Sequence, residues 1–303
     1  MNFSDIKRAS ARLANSVFWS IIPDTQLLYI KSGTIQHLDN NLPYNLGDDL
    51  NYYMLKELTN KKIVNLKDTF LNKPNYLVIG SIIEKYCDSS SIIWGAGAMY
   101  GNKPLKYKPA QVKAVRGKMT QKYLIEQGVD CPDVYGDPAL LLPYLYNPQK
   151  QKKYKLGIIP HFVDKDSETI ASLHNRIKDS VIINMVNYYD WHNVIDTILE
   201  CEIVLSSSLH GLILSDAYGV TNVWFSTSNN IRGGGYKYLD YFSSVGREQE
   251  CVRLQGKSIG YEDIKGIASS YKAIDFNALK LIQSCPFSID SAIIGKVRHS
   301  YTT

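Results

Sequence analysis

The residues best suited to chemistry by type and spacing lie at 206–211, where Ser206, Ser207, Ser208, Leu209, His210 and Gly211 follow one another. An apolar run, Ile203–Leu205, leads into them, and a helical pattern leads out and stops at Gly219. A strand that turns through serines into a helix leaves the first N–H groups of that helix unpaired. With hydroxyls beside them, they make a ready site for an anion. His210 stands in that first turn, where an imidazole acts as acid, base or phosphate contact, or merely packs. A second histidine, His161, leaves the apolar run Leu156–Pro160, and Pro160 fixes its exit without identifying a role. Near the start, Gly47 and Asp48 sit in Asn45-Leu46-Gly47-Asp48-Asp49. Gly47 lets a ligand approach the backbone, and Asp48 is either a helix cap or a carboxylate aimed at sugar hydroxyls.

Two further stretches offer cations. Arg116 lies at a strand-to-helix turn, where a guanidinium can grip a carboxylate or phosphate with two hydrogen bonds. The run from Asn230 to Tyr241 carries Arg232 and Lys237 on either side of three glycines, which suits a mobile loop closing on an anion or a plain surface loop. Asp137-Pro138 reads as a helix cap followed by proline at the first helical position. Gly95-Ala96-Gly97 ends in GxGxxxG spacing and does not open a helix, so a dinucleotide fingerprint is rejected. His37, His174, His192 and His299 are given no role.

The elements that must position these residues alternate. Leu27–Ile30, Tyr76–Gly80, Ser91–Trp94, Val112–Val115, Leu156–Pro160, Val181–Met185, Ile203–Ser206 and Asn222–Phe225 read as strands. Asp49–Leu58, Lys118–Gln127, Ser167–Ile177, Trp191–Glu200 and His210–Tyr218 read as helices. Near-continuous apolar strands between helices predict an α/β fold with doubly wound parallel sheets. A polar basic stretch at 146–155 interrupts the series, which predicts two domains, 1–148 and 149–303, with the last helix crossing back. Such sheets bind ligands at the carboxyl ends of their strands, so the ligand is expected in a cleft between them.

Composition sets the outer limits. The 303 residues allow one large domain or two ordinary ones, since single cores stop growing near ~250–300 residues. At 45% hydrophobic and 21% charged, the chain is not disordered. No apolar run approaches the ~20 residues that span a bilayer and no secretory signal opens the chain, so a cytoplasmic protein is expected. The five cysteines show no zinc spacing, no carboxylate cluster suggests a metal, and a net charge of +5 is too diffuse for a nucleic-acid footprint.

Together these residues resemble the polysaccharide pyruvyltransferase family. The resemblance rests on Asn45-x-Gly47-Asp48, Trp94-Gly95-Ala96-Gly97, Val115-Arg116-Gly117, Gly136-Asp137-Pro138-Ala139, Ser207-Ser208-Leu209-His210-Gly211 and Lys237-Tyr238-Leu239-Asp240-Tyr241-Phe242, in that order over about two-thirds of the chain. It implies a GT-B-like pair of Rossmann-like domains, acceptor on the first and donor on the second. It also implies phosphoenolpyruvate as donor, no cofactor, and a pyruvate ketal formed on two hydroxyls of a glycan sugar. In that scheme Ser206, Ser207, Ser208 and Leu209, with Arg116 and Lys237, hold the donor; His210 is the acid or the phosphate-side contact, and Asp48 or His161 serves the acceptor. One departure stands out: the family commonly has arginine where this chain has Ser208, so either Arg232, Lys237 or Arg116 replaces its charge or the donor or activity differs. The acceptor is expected to be lipid-linked. Ile6, Ala9, Leu13 and Val17, with Lys7, Arg8 and Arg12, form a helical pattern suited to peripheral contact with the inner membrane face or to ordinary docking. Homo-oligomerisation stays open. The alternatives are a GT-B glycosyltransferase or epimerase using a nucleotide sugar, and a non-catalytic glycan-binding relative.

Overall fold

The computed structural model describes residues 3–33, 45–254 and 259–302; His37 lies outside them. Five short strands, Leu27–Ile30 (β1), Lys62–Asn65 (β2), Asn75–Leu77 (β3), Ser91–Trp94 (β4) and Gln111–Ala114 (β5), make one parallel sheet in the order β2-β1-β3-β4-β5. Tyr154–Ile159 (β6), Ser180–Ile182 (β7), Cys201–Ser206 (β8), Asn222–Ser226 (β9) and Val252–Arg253 (β10) make a second, also parallel, in the order β10-β9-β8-β6-β7. Counted within its own half, each sheet has the same order, 2-1-3-4-5. In that order the strands reverse direction of progression between the first and third, and the crevice beyond their carboxyl ends is where such sheets bind ligands.

Helices cross between the strands because parallel neighbours cannot be joined by a tight turn. In chain order they are Phe3–Ser20 (α1), Leu46–Thr59 (α2), Ile83–Tyr86 (α3), Lys118–Glu126 (α4), Glu168–Arg176 (α5), Trp191–Leu199 (α6), Leu209–Ala217 (α7), Tyr236–Ser244 (α8), Tyr261–Ala268 (α9), Ala278–Gln283 (α10) and Ser291–His299 (α11). The glycine-rich stretch read as a loop to Tyr241 is therefore helical from Tyr236. Its apolar side, Tyr238, Tyr241 and Phe242, is buried, and that burial outweighs the glycines before it.

The chain passes from one sheet to the other through 145–153, and α10 and α11 return to the first. Trp94 Nε1 donates to the Leu281 carbonyl at 3.1 Å, and Phe287 stands edge-on to both Trp94 and Tyr76. The Asp290 N–H donates to the Leu58 carbonyl at 2.8 Å. One apolar cluster runs from Leu28 and Leu50 through Leu140 and Leu212 to Val297, so both halves share a core. Among the described residues no helix is long and apolar enough to cross a membrane.

Candidate active site

Both strand-end crevices open into one cavity of about 320 Å³. Gly33 follows β1, and Gly80 and Ser81 follow β3; Asp48 comes from the first turn of α2 and Lys85 from α3. The second half contributes His161 beyond β6, and Ser208, Leu209 and His210 beyond β8. Arg232 and Lys237 reach in from the approach to α8 and its start.

The cap of α2 is Asn45, whose side chain accepts from the Gly47 N–H at 3.0 Å, so neither aspartate is needed there. Asp49 is fully buried and accepts a hydrogen bond from the Tyr188 hydroxyl. Asp48 is left facing the cavity. Burial raises its pKa to about 6, against the opposing pull of Lys67, Lys85 and the Gly33 N–H. Still mostly ionised at neutral pH, it is a stronger base than an ordinary aspartate.

His210 is held from both sides. A Cβ on Gly47 would overlap its Nδ1, so the absence of a side chain there lets α2 close over the imidazole. Nε2 faces Asp137 Oδ2 at 3.9 Å, and both atoms are buried with no hydrogen-bond partner. Asp137 does cap the 3-10 turn Pro138–Tyr144, its Oδ1 accepting from the Ala139 N–H at 3.0 Å. Its second oxygen is aimed at His210. Burial, then the charges of Arg116 and Lys237, lowers the pKa of His210 to about 3, while burial raises that of Asp137 to about 7. The imidazole is thus neutral in the empty cavity.

Burial and Lys237 also lower His161 to about 3. A neutral ring has one accepting nitrogen, so either Nδ1 takes the Val163 N–H at 3.4 Å or Nε2 takes Lys237 Nζ at 3.5 Å. Lys237 is itself buried, and burial, helped by Arg116, lowers it to about 8. It still carries its charge at neutral pH.

The remaining sequence-derived candidates stand behind the wall. Ser206 and Ser207 are fully buried; Ser206 Oγ bonds within the turn to Ser208, and Ser207 Oγ accepts from the His161 N–H at 2.7 Å. Of Ser206, Ser207 and Ser208 only Ser208 reaches the cavity, and it makes no side-chain cap bond to α7. Arg116 is fully buried and does not line the cavity. Its Nε and an amino nitrogen bond Asp240 Oδ2 at 2.9 and 2.8 Å, and the guanidinium also donates to Ser81 Oγ and the Ala98 carbonyl. Asp240 accepts in addition from the Thr120 N–H and hydroxyl, both at 2.7 Å. A Cβ on Gly97 would strike the guanidinium, which explains that glycine better than any ligand does. Arg116 and Asp240 therefore tie the first half to the second and position Ser81.

Arg232 and Lys237 line the cavity with Ser208 and so, unforeseen from sequence, does Lys85. A lysine in Ile83-Glu84-Lys85-Tyr86 carries no local signal; only the packing of α3 brings it here. Among the described residues no group of His, Cys, Asp and Glu could hold a metal ion.

Comparison with known proteins gives the family. Residues 36–229 match the family model for polysaccharide pyruvyl transferase. The succinoglycan biosynthesis protein ExoV of Rhizobium meliloti is 27% identical over 238 residues, covering 77% of this chain and 71% of that protein. An uncharacterized protein of Acanthamoeba polyphaga mimivirus is 29% identical over 212 residues, covering 68% of this chain and 72% of its own length. No solved structure matches.

Proposed function

The chain belongs to the polysaccharide pyruvyl transferase family, and from that premise we propose that it moves a pyruvyl group from phosphoenolpyruvate onto two hydroxyls of a glycan sugar, forming a ketal. The observation that supports this reading is the convergence of Lys85, Arg232 and Lys237 on a cavity that also holds a neutral imidazole and an ionised carboxylate. Three cations suit a small ligand carrying both phosphate and carboxylate. In the GT-B-like division of labour proposed here, the second half holds this donor and the first presents the acceptor.

Ketal formation requires a proton on the donor's methylene carbon, which leaves an oxocarbenium-like centre at the carbon bearing the phosphate oxygen. One sugar hydroxyl attacks that centre, phosphate departs, and a second hydroxyl closes the ring. The two hydroxyl protons balance the one added to the methylene and the one carried off by phosphate. His210 supplies the first proton. It is neutral when the cavity is empty, and the negative charge of a bound donor, with Asp137 behind the ring, favours its protonated form. Asp48 accepts from the attacking hydroxyl. Ser208 and the first turn of α7 bind phosphate with Arg232, and neutral His161, in the tautomer that accepts at Nε2, keeps Lys237 aimed at the donor.

The acceptor is proposed to be lipid-linked and reached at an anionic membrane surface through α1. This helix docks by its polar side. Arg12 and Asn15 donate to the Thr69 and Asp68 carbonyls, and Ser16 Oγ accepts from the Phe70 N–H. It thereby turns Ile6, Leu13, Val17 and Phe18 outward, all more than half exposed, beside Lys7 and Arg8.

Phosphoenolpyruvate at a hundredfold excess over its dissociation constant stabilises the folded state by about 2.7 kcal/mol, a thermal shift of several degrees. The same shift with uridine diphosphate and none with phosphoenolpyruvate would point instead to a nucleotide-sugar glycosyltransferase. Near-normal phosphate release by His210→Ala in the presence of acceptor would remove the role given to that histidine.

A further inference from the structure

A second cavity, of about 500 Å³, opens beside the first and shares Lys85 and Tyr86 with it. It lies between α1, the 66–72 turn, α3 and the 106–107 loop, and its wall holds five cations, Arg12, Lys31, Lys67, Lys85 and Lys106, against two carboxylates, Glu84 and Asp88. Both carboxylates are already engaged. Glu84 accepts from the N–H groups of Met99, Tyr100 and Gly101 at 2.7–3.1 Å. Asp88 is ion-paired with Lys31 and accepts from Ser90, Ser91 and Asn75. The wall keeps three positive charges in excess. Aromatic faces back several of them: Arg12 lies over Phe70 at 4.3 Å, Lys85 over Tyr86 at 4.9 Å and Lys106 over Tyr107 at 5.2 Å. Phe70 and Tyr107 are about half exposed, so apolar rings lie beside the cations of the groove.

We propose that this groove binds the part of the acceptor beyond the reacting sugar, and that this part is an anionic saccharide bearing phosphate or carboxylate. The proposal rests on the pyruvyl-transfer reading for its direction. The groove meets the reaction cavity at Lys85 and Tyr86, and the charges of Lys85 and Lys67 both act on Asp48, the carboxylate assigned to the acceptor hydroxyl. A glycan whose reacting hydroxyl meets Asp48 has this channel as its continuation. The excess positive charge favours anionic over neutral chains, and the aromatic residues give the sugar rings apolar surface.

The test uses three probes with the full chain: glucose 1-phosphate for the phosphate source, tetragalacturonate for the carboxylate source, and cellotetraose as the neutral control. Binding is followed by calorimetry with phosphoenolpyruvate present to occupy the first cavity. Neither lysine of the double variant Lys67→Gln/Lys106→Gln lines the first cavity, and because Lys67 also acts on the charge of Asp48 the readout is binding, not turnover. One or both anionic probes should bind more tightly than cellotetraose, with an affinity that falls as salt rises. The variant should lose roughly tenfold per lysine, and the arm that binds identifies the source of the charge. Equal binding of the neutral probe, no binding of either anionic probe, or anionic binding unaffected by the double variant would overturn the proposal. Stabilisation by phosphoenolpyruvate alone is read separately: its absence counts against the pyruvyl-transfer reading, and its presence with a silent groove counts against this one.

Discussion

Replacing Asp137 by asparagine separates what this carboxylate does for the fold from what it does for His210. Asparagine keeps an oxygen for the Ala139 N–H, so the cap on the 138–144 turn is retained. Above about pH 7, where the folded carboxyl ionises, what disappears is a negative charge 3.9 Å from His210 Nε2. Opposite unit charges ~4 Å apart attract by about 4 kcal/mol at an effective dielectric constant of ~20, which corresponds to about three pKa units on the imidazolium. Because the proposed chemistry runs through that imidazolium, kcat for acceptor-dependent phosphate release from phosphoenolpyruvate should fall roughly a thousandfold. Donor binding should hardly change, since Asp137 does not line the cavity. Stability provides the control. An unfolded aspartate loses its proton near ~4, whereas the folded one keeps it to about 7. Between these values the unfolded state binds fewer protons, so the wild type loses stability as pH rises through that window, and the loss is complete above it. The asparagine variant carries no such loss. Relative to wild type, the thermal midpoint of Asp137→Asn should therefore rise from pH 4 to pH 7 and level off beyond. A near-wild-type kcat in a variant that binds donor normally would refute the coupling of these two residues. A fall in kcat with an equal loss of donor affinity would reduce Asp137 to a fold residue.

Other perturbations reach other parts of the site. Gly47→Ala should displace the His210 ring, because its Cβ would overlap Nδ1; acceptor-dependent turnover should drop at least a hundredfold, with a circular dichroism spectrum like wild type. Arg116→Met leaves Asp240 charged and fully buried without its partner. That should cost about 3–5 kcal/mol in a urea titration, and a change below about 1 kcal/mol would show that Asp240 finds compensation in Thr120. Leu13→Asp/Val17→Asp on the outward side of α1 should abolish co-sedimentation with vesicles containing anionic lipid and leave donor binding unchanged; retained sedimentation would remove α1 from any membrane role.

The parts of the site that were legible in the sequence are those where one short stretch decides the outcome. An apolar run, serines and a helical pattern put His210 in the first turn of α7, and the Asn45–Asp49 stretch started α2 with a spare aspartate, though the capping residue proved to be Asn45. Short polar strands gave no such signal: β2 has lysine and asparagine at its ends, and β10 is only two residues long. The helical spacing of α1 was visible, but not its orientation, because hydrogen bonds to the 68–70 backbone hold the polar side inward. Least legible were the partners. Arg116 looked like a ligand contact because a guanidinium at a strand-to-helix turn can be one, yet Asp240, 124 residues away, occupies it. Local pattern places His210 with the serine turn alone, yet its facing oxygen belongs to Asp137, which that pattern explains fully as a cap. Local sequence chooses which residues stand at strand ends, and two sheets with the same 2-1-3-4-5 order bring those ends to one cavity. Which of the assembled side chains face a substrate, and which face one another, depends on pairings between halves. The cations left over once those pairings are made, Lys85, Arg232 and Lys237, are the ones on which an anionic donor must rely.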